Sequence, residues 1–249
     1  MKNRTKRRSL KLCVEQLEGR VVPSTVAPPP TPPAPYEFWG STNWSGISMD
    51  TTQGAVTAVS GSWIVPAVTG SGKGYSATWV GIDGYGGSHD VLQAGCDADV
   101  SLSDGVTQYR YCPWWEWYPD ASVQITNMPV SPGDVLHCLI CLQAGSTSVA
   151  SIFLGNKTTA KGLTFTAEIP PSASLSGNCA EWIIEATGDW GPLARFSQVD
   201  FIDCDAGTNS GQTVTTEGGT AINMVDGDDV VSTGRITGPS GVQIVYGNG

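Results

Sequence analysis

The sequence predicts an all-β fold of two packed antiparallel sheets, and three observations lead there. Short runs rich in Val, Ile, Thr and Trp recur along the chain, separated by turn clusters such as Ser131-Pro132-Gly133-Asp134 and Gly218-Gly219. The 249 residues include 31 Gly and 16 Pro but only 14% charged residues, a composition suited to many turns and short strands. No stretch of ten or more residues has helical periodicity, and no internal repeat is present. With 40% hydrophobic residues the chain can bury a full core, and many antiparallel strands in one domain close as a sandwich.

Taken in order, residues 1–35 fall outside the predicted fold. Residues 1–20 hold seven basic residues against Glu15 and Glu18, a positive n-region without the apolar segment of a standard secretory signal. The run from Val14 to Ser24 resembles the N-terminal sorting segment of many large exported bacterial proteins, which implies a secreted or cell-surface location. A Pro-rich linker, Pro23 to Pro35, follows and should be extended and disordered. The sandwich is expected over residues 36–249. Its strands are read at 42–49, 55–64, 76–83, 90–96, 108–118 and 121–125, each a β-branched or aromatic run ending in turn residues. The same reading gives 134–143, 147–154, 163–169, 180–186, 197–203, 212–216, 229–235 and 242–246.

The net charge of −10 hides an asymmetry, because residues 21–249 carry six basic and twenty-one acidic residues, or −15. A surface so poor in Lys and Arg argues against nucleic acid and anionic lipid as partners. It suits work at low pH, and equally an acidic secreted protein with no such adaptation. No apolar run reaches the ~18 residues of a membrane-spanning helix, so no membrane insertion is expected. Seven cysteines are present. With Cys13 in the leader, Cys96, Cys112, Cys138, Cys141, Cys179 and Cys204 could form three disulfides, Cys96 with Cys112 first. Cys138 and Cys141 would face opposite sides of a strand, which supports neither a zinc nor a redox motif.

Chemistry has few places to reside. His89 sits in a polar Gly-rich turn, and His137 reads as a buried strand histidine. A nucleophile elbow, a zinc helix motif, a phosphate-cradling glycine loop and a calcium loop are all missing. Carboxyls and amides remain. Strand alternation puts Trp79 and Asp83 on one face, Gln93 and Asp97 on another, and Trp114, Glu116 and Tyr118 on a third. Glu181 and Glu185 likewise share a face, with Trp182 and Ile184 turned inward. If these faces coincide they make an aromatic wall set with carboxyls of raised pKa, suited to general acid–base work on an extended polymer. Each carboxyl taken alone is as well explained by hydrogen bonds to neighbouring tryptophans or backbone.

Four motifs stand in order: Trp79-Val80-Gly81-Ile82-Asp83-Gly84, Leu92-Gln93-Ala94-Gly95, Trp115-Glu116-Trp117-Tyr118-Pro119 and Ala180-Glu181-Trp182-Ile183-Ile184-Glu185. With Asn43-Trp44-Ser45-Gly46 before them, the chain resembles the glutamic peptidases, the eqolisins of peptidase family G1. The resemblance implies an acid-acting endopeptidase on a concanavalin A-like, jelly-roll β-sandwich with a concave active face. It matches Gln93 and Glu185 to the catalytic dyad, and Trp44, Trp79, Asp83, Asp97, Trp114, Glu116 and Tyr118 to the substrate cleft. It implies a monomer acting on an extended polypeptide, with no metal or organic cofactor. Glu185 as carboxylate is expected to take a proton from a water held with Gln93, whose amide then stabilises the oxyanion. Glu181, ~13 Å along the strand, is not the other half of the dyad.

This sequence departs from the family in three places. Cys112 stands where the better-known members carry an acidic residue, Ala186-Thr187-Gly188 lacks their acidic character, and only about 35 residues precede the domain. Two rival readings stay open: a carbohydrate-binding or sugar-hydrolysing sandwich using Trp114, Trp117 and Tyr118 as a platform, and a non-catalytic surface domain.

Overall fold

The computed structural model describes residues 38–51, 55–86, 88, 90–187 and 191–247. The leader and linker over 1–35, Cys13, His89 and Gly188 lie outside the described residues. Among those described the chain forms eighteen strands and no helix. In order they are β1 (Phe38–Ser41), β2 (Trp44–Asp50), β3 (Val56–Ile64), β4 (Val68–Thr69), β5 (Ala77–Ile82) and β6 (Val91–Ser103). There follow β7 (Val106–Tyr118), β8 (Val123–Gln124), β9 (Val135–Leu142), β10 (Val149–Asn156), β11 (Lys161–Glu168) and β12 (Cys179–Glu185). The last are β13 (Arg195–Phe196), β14 (Val199–Thr208), β15 (Thr213–Thr215), β16 (Thr220–Asp226), β17 (Asp229–Gly238) and β18 (Gly241–Tyr246).

Hydrogen bonding runs along one path, β11-β10-β9-β3-β14-β18-β17-β16-β2-β12-β5-β6-β7-β8, and β4 with β13 makes a small second sheet. The long path doubles back into two packed layers. Trp182 of β12 donates its indole N–H to the Ser60 carbonyl of β3 at 2.9 Å, and Trp115 of β7 packs on Phe165 of β11 at 5.3 Å. Gly61 leaves room for the Trp182 ring, which a Cβ there would meet at 2.8 Å. Between the layers lie Val80, Leu92, Trp117, Trp182, Leu136, Ile140, Ile152 and Phe201, all buried. Each such side chain stabilises the fold by roughly 1.5–3 kcal/mol relative to exposure. The turn of the path is β16 to β18. There β17 passes so close to β2 that a Cβ on Gly234 would strike the backbone of Gly46.

Three features differ from the sequence reading. The strands at 90–96 and 108–118 are parts of one long hairpin, turning on Asp104-Gly105, both at positive φ, the geometry of a two-residue hairpin loop. Strand β16, which lies between β2 and β17, was not expected, nor were the short β1, β4 and β13. Strand β16 also pairs with β1 in parallel, alone among the described ladders. The disulfides are the third difference. No disulfide forms among the described cysteines, and Cys96, Cys112, Cys138, Cys179 and Cys204 are free thiols. Register explains the failure of the first expected bridge: Cys96 stands opposite Pro113 and Cys112 opposite Asp97, so the two thiols leave opposite faces of the hairpin.

Candidate active site

Register assembles the site on the sheet face turned away from the core. On β5, Ala77 stands opposite both Glu185 of β12 and Asp97 of β6, while Gly81 stands opposite both Glu181 and Gln93. Gln93 pairs in turn with Glu116, and Gly95 with Trp114. Alternation then brings Trp44, Trp79, Gln93, Asp97, Trp114, Glu116 and Glu185 to one face. All of these except Trp79 line a cleft of about 1190 Å³. Trp79 is fully buried beneath it, its ring edge-on to Trp44 at 5.2 Å.

The floor depends on two glycines. A Cβ on Gly95 would strike the Thr78 carbonyl, and one on Gly81 would press on the Trp79 ring at 3.0 Å. With hydrogen at both positions the indole lies flat along the floor, reaching from Glu185 toward Gln93. Its Nε1 donates to Glu185 Oε2 at 3.0 Å, and Asn43 Nδ2 donates to Glu185 Oε1 at 3.2 Å. Burial pushes the Glu185 carboxyl up to about 7, hydrogen bonds from Trp44, Trp79 and Asn43 oppose the rise, and the Glu116 charge adds to it.

Gln93 is held from its other side. Its Nε2 donates to Glu116 Oε2 at 2.6 Å, while its Oε1 is buried and has no hydrogen-bond partner among the described residues. By accepting from Nε2, Glu116 fixes which way the amide points. Burial raises the Glu116 carboxyl, and the bond from Gln93 opposes that rise. Farther along, burial lifts Asp97 to about 7, helped by the charge of Asp99 and opposed by Arg110. The guanidinium of Arg110 lies 3.4 Å from Asp99 and 3.8 Å from Asp97. Among the described residues no cluster of His, Cys, Asp and Glu is arranged to hold a metal ion.

A buried glutamate and glutamine facing one cleft in a β-sandwich can be compared with known proteins. The model of the peptidase A4 family matches residues 42–246. The chain belongs to that family. It is an eqolisin, a hydrolase of peptide bonds. Aspergillopepsin-2 of Aspergillus niger is 30% identical over 229 residues, covering 83% of this chain and 78% of that protein. Scytalido-glutamic peptidase, solved with a transition state analog inhibitor, superposes with a TM-score of 0.70 at 28% identity, over 82% of this chain and 98% of that one. Its structure with a peptide-based transition state analog gives 0.68 at 26% identity, with the same coverage.

In this eqolisin most residues singled out from the sequence share the cleft, including Tyr118, which stands exposed at its rim. Asp83 does not. The strand ends at Ile82, and Asp83 turns out of it at φ 65°, breaking the alternation that placed it beside Trp79. Its carboxylate is fully buried and accepts the backbone N–H groups of Ser176, Gly177 and Asn178 at 2.6–2.9 Å. It ties down the loop that leads into β12, and substrate cannot reach it. Glu181 is also fully buried, accepts from the Cys179 thiol at 3.5 Å, and is driven well above the ordinary carboxyl range by burial.

Trp117 faces the core, so the platform of Trp114, Trp117 and Tyr118 does not exist as one surface. His137 lies outside the cleft, half-buried against Phe153 and bonded to Ser62. Sequence reasoning missed Asn43 as a partner of Glu185, although Asn43 opens the motif that supported the family. It also missed Arg110 and Asp99, whose signal is the cross-strand pairing of opposite charges in the long hairpin.

Proposed function

We propose that the protein is a secreted or cell-surface, acid-acting endopeptidase that cleaves extended polypeptides with Glu185 and Gln93 as its catalytic dyad. One observation carries the reading: a carboxyl held near 7 by burial and a glutamine with a buried, unpartnered carbonyl oxygen open on the same cleft. The volume of that cleft and its aromatic walls favour a polypeptide as substrate, and a solved relative binds a peptide-based transition state analog.

The raised carboxyl changes the proton order expected from sequence. Below about 7 Glu185 is a neutral acid, so it starts as donor as well as acceptor. One of its oxygens gives a proton to the scissile carbonyl oxygen while the other takes a proton from the attacking water. Gln93 Oε1 accepts from that water, and the Nε2–H not engaged by Glu116 donates to the carbonyl oxygen as negative charge develops. The resulting neutral diol collapses when Glu185 hands its proton to the leaving nitrogen and recovers one from a diol hydroxyl. Glu185 ends as it began, and activity is lost as pH rises through about 7.

The test is hydrolysis of an acid-denatured protein across the acid range by wild type, Glu185→Gln and Gln93→Ala. The expected result is cleavage that fades toward neutrality, is abolished in the glutamate variant, and falls on the order of 10²–10³ in the glutamine variant. Retained turnover in Glu185→Gln would sink the dyad.

A further inference from the structure

A second pocket, of about 240 Å³, opens on the other side of β6 from the cleft. Its wall is the glycine-rich turn Thr69-Gly70-Ser71-Gly72-Lys73-Gly74, closed by residues 192–195, Val100 and Tyr246. The two hollows lie on opposite faces of β6: alternation turns Asp99 to the cleft and Val100, with its bridge partner Gly74, to the pocket.

The lining is unlike the rest of the molecule. Residues 21–249 have only six basic residues against twenty-one acidic, yet two of the six, Lys73 and Arg195, share this pocket, and no Asp or Glu lines it. Neither cation has a carboxylate within ion-pair distance among the described residues, whereas Arg110 has two. Thr69, Ser71 and Tyr246 add hydroxyls. Two like charges in one small space repel each other, and an anion between them offsets that cost.

The Arg195 guanidinium lies over the Tyr246 ring at 5.5 Å, and that ring is braced edge-on by Phe196 at 5.6 Å. A cation–π contact of this kind leaves the guanidinium N–H groups able to donate to oxygen ligands. Pairing of β13 with β4 sets Arg195 opposite Thr69, at the start of the turn. Gly74 allows the turn to lie against the backbone bearing Arg195, since a Cβ there would meet the Ala194 Cα at 2.8 Å. The N–H of Gly74 bonds the Val100 carbonyl, while those of residues 70–73 find no backbone acceptor among the described residues.

We propose that this pocket binds a tetrahedral oxyanion, a phosphoryl or sulfate group, carried by a polypeptide. Lys73 supplies a compact charge, Arg195 a fork of donors, and the hydroxyls and turn amides the remaining hydrogen bonds. A carboxylate fits less well, because it loses its charge near pH ~4 whereas a phosphoryl group sheds only its second charge below ~6 and keeps the first. This choice of ligand rests on the acid-acting reading; the cation-lined pocket does not.

The test uses Glu185→Gln, which is inactive under that reading and keeps the pocket, and follows backbone amide NMR shifts at pH ~4 on adding sodium sulfate or sodium chloride. A serine peptide with and without a phosphoryl group gives the second comparison. Sulfate is expected to move Gly70 to Gly74 saturably, and the phosphopeptide to bind about tenfold or more tighter than the plain peptide. Lys73→Ala and Arg195→Ala, both at exposed side chains, should each weaken the ion about tenfold, while Lys73→Ala cleaves an unphosphorylated substrate at the wild-type rate. Sulfate binding as tightly as the phosphopeptide would assign the site to the free ion. Equal shifts with chloride, or affinity unchanged in both variants, would overturn the proposal. Binding in this experiment beside a wild type that cleaves nothing would instead count against the peptidase mechanism alone.

Discussion

Replacing Glu185 by Gln removes a carboxyl that burial holds at about 7, and which returns to its ordinary 4.5 when the chain unfolds. A raised native value means that the folded state binds the proton more tightly. Its contribution to stability is therefore complete below about 4.5 and lost as pH rises through about 7. At about 1.36 kcal/mol for each pH unit between the two values, the loss is about 3 kcal/mol. Glutamine does not titrate. The stability of wild type relative to Glu185→Gln should then fall by about 3 kcal/mol between pH ~4 and pH ~8. Part of that fall is shared with Asp97, which also titrates at about 7 and feels the charge of Glu185. Urea unfolding followed by tryptophan fluorescence at both pH values measures it. Any fixed cost of setting an amide against the Asn43 and Trp79 donors cancels in the comparison. An offset between the two proteins that does not change with pH would refute the reasoning.

Three further outcomes are expected. Glu116→Gln lets the Gln93 amide flip, so kcat should drop about tenfold with KM nearly unchanged, and an undiminished kcat in steady-state assays would show that Glu116 does not orient it. Asp83→Ala strips three buried N–H groups of their acceptor and should cost about 3 kcal/mol or more in urea unfolding, and a loss below about 1 kcal/mol would mean that water replaces the carboxylate. A thiol reductant should leave the thermal midpoint where it was, because no disulfide joins the described cysteines, and a drop of several degrees would reveal a bridge.

What could be read from the sequence was whatever alternation encodes. Trp79, Gln93, Glu116 and Glu185 each stand in a strand, so period two gives the face each takes within its own strand, and only the register brings those faces together. The reading failed where the backbone leaves the strand. Asp83 follows the last residue of β5 at positive φ, and a period has no meaning beyond the end of the ladder. It also failed at β16, which lies outside every expected strand. Cys96 and Cys112 were close in the hairpin but opposite in parity, which spacing alone does not reveal without the register. That register was within reach, since Asp104-Gly105 is a strong hairpin signal, and counting outward from it places Arg110 against Asp99. The value near 7 at Glu185 lay beyond sequence, because it depends on how completely Trp79 and its neighbours exclude water.

The strands that join the two layers come late in the order of the domain's strands. β16, β17 and β18 connect β14 to β2, and they occupy residues 220–246. Asn43 and Trp44 reach Glu185 because β2 is held between β12 and β16, a closure spanning 142 residues from Asn43 to Glu185 and needing β16 behind it. Contacts of such long range form late. A ribosome therefore releases nearly the whole domain before glutamate, glutamine and cleft wall can meet. For a hydrolase of peptide bonds this ordering is a safeguard, since the growing chain and the machinery around it never encounter a finished blade.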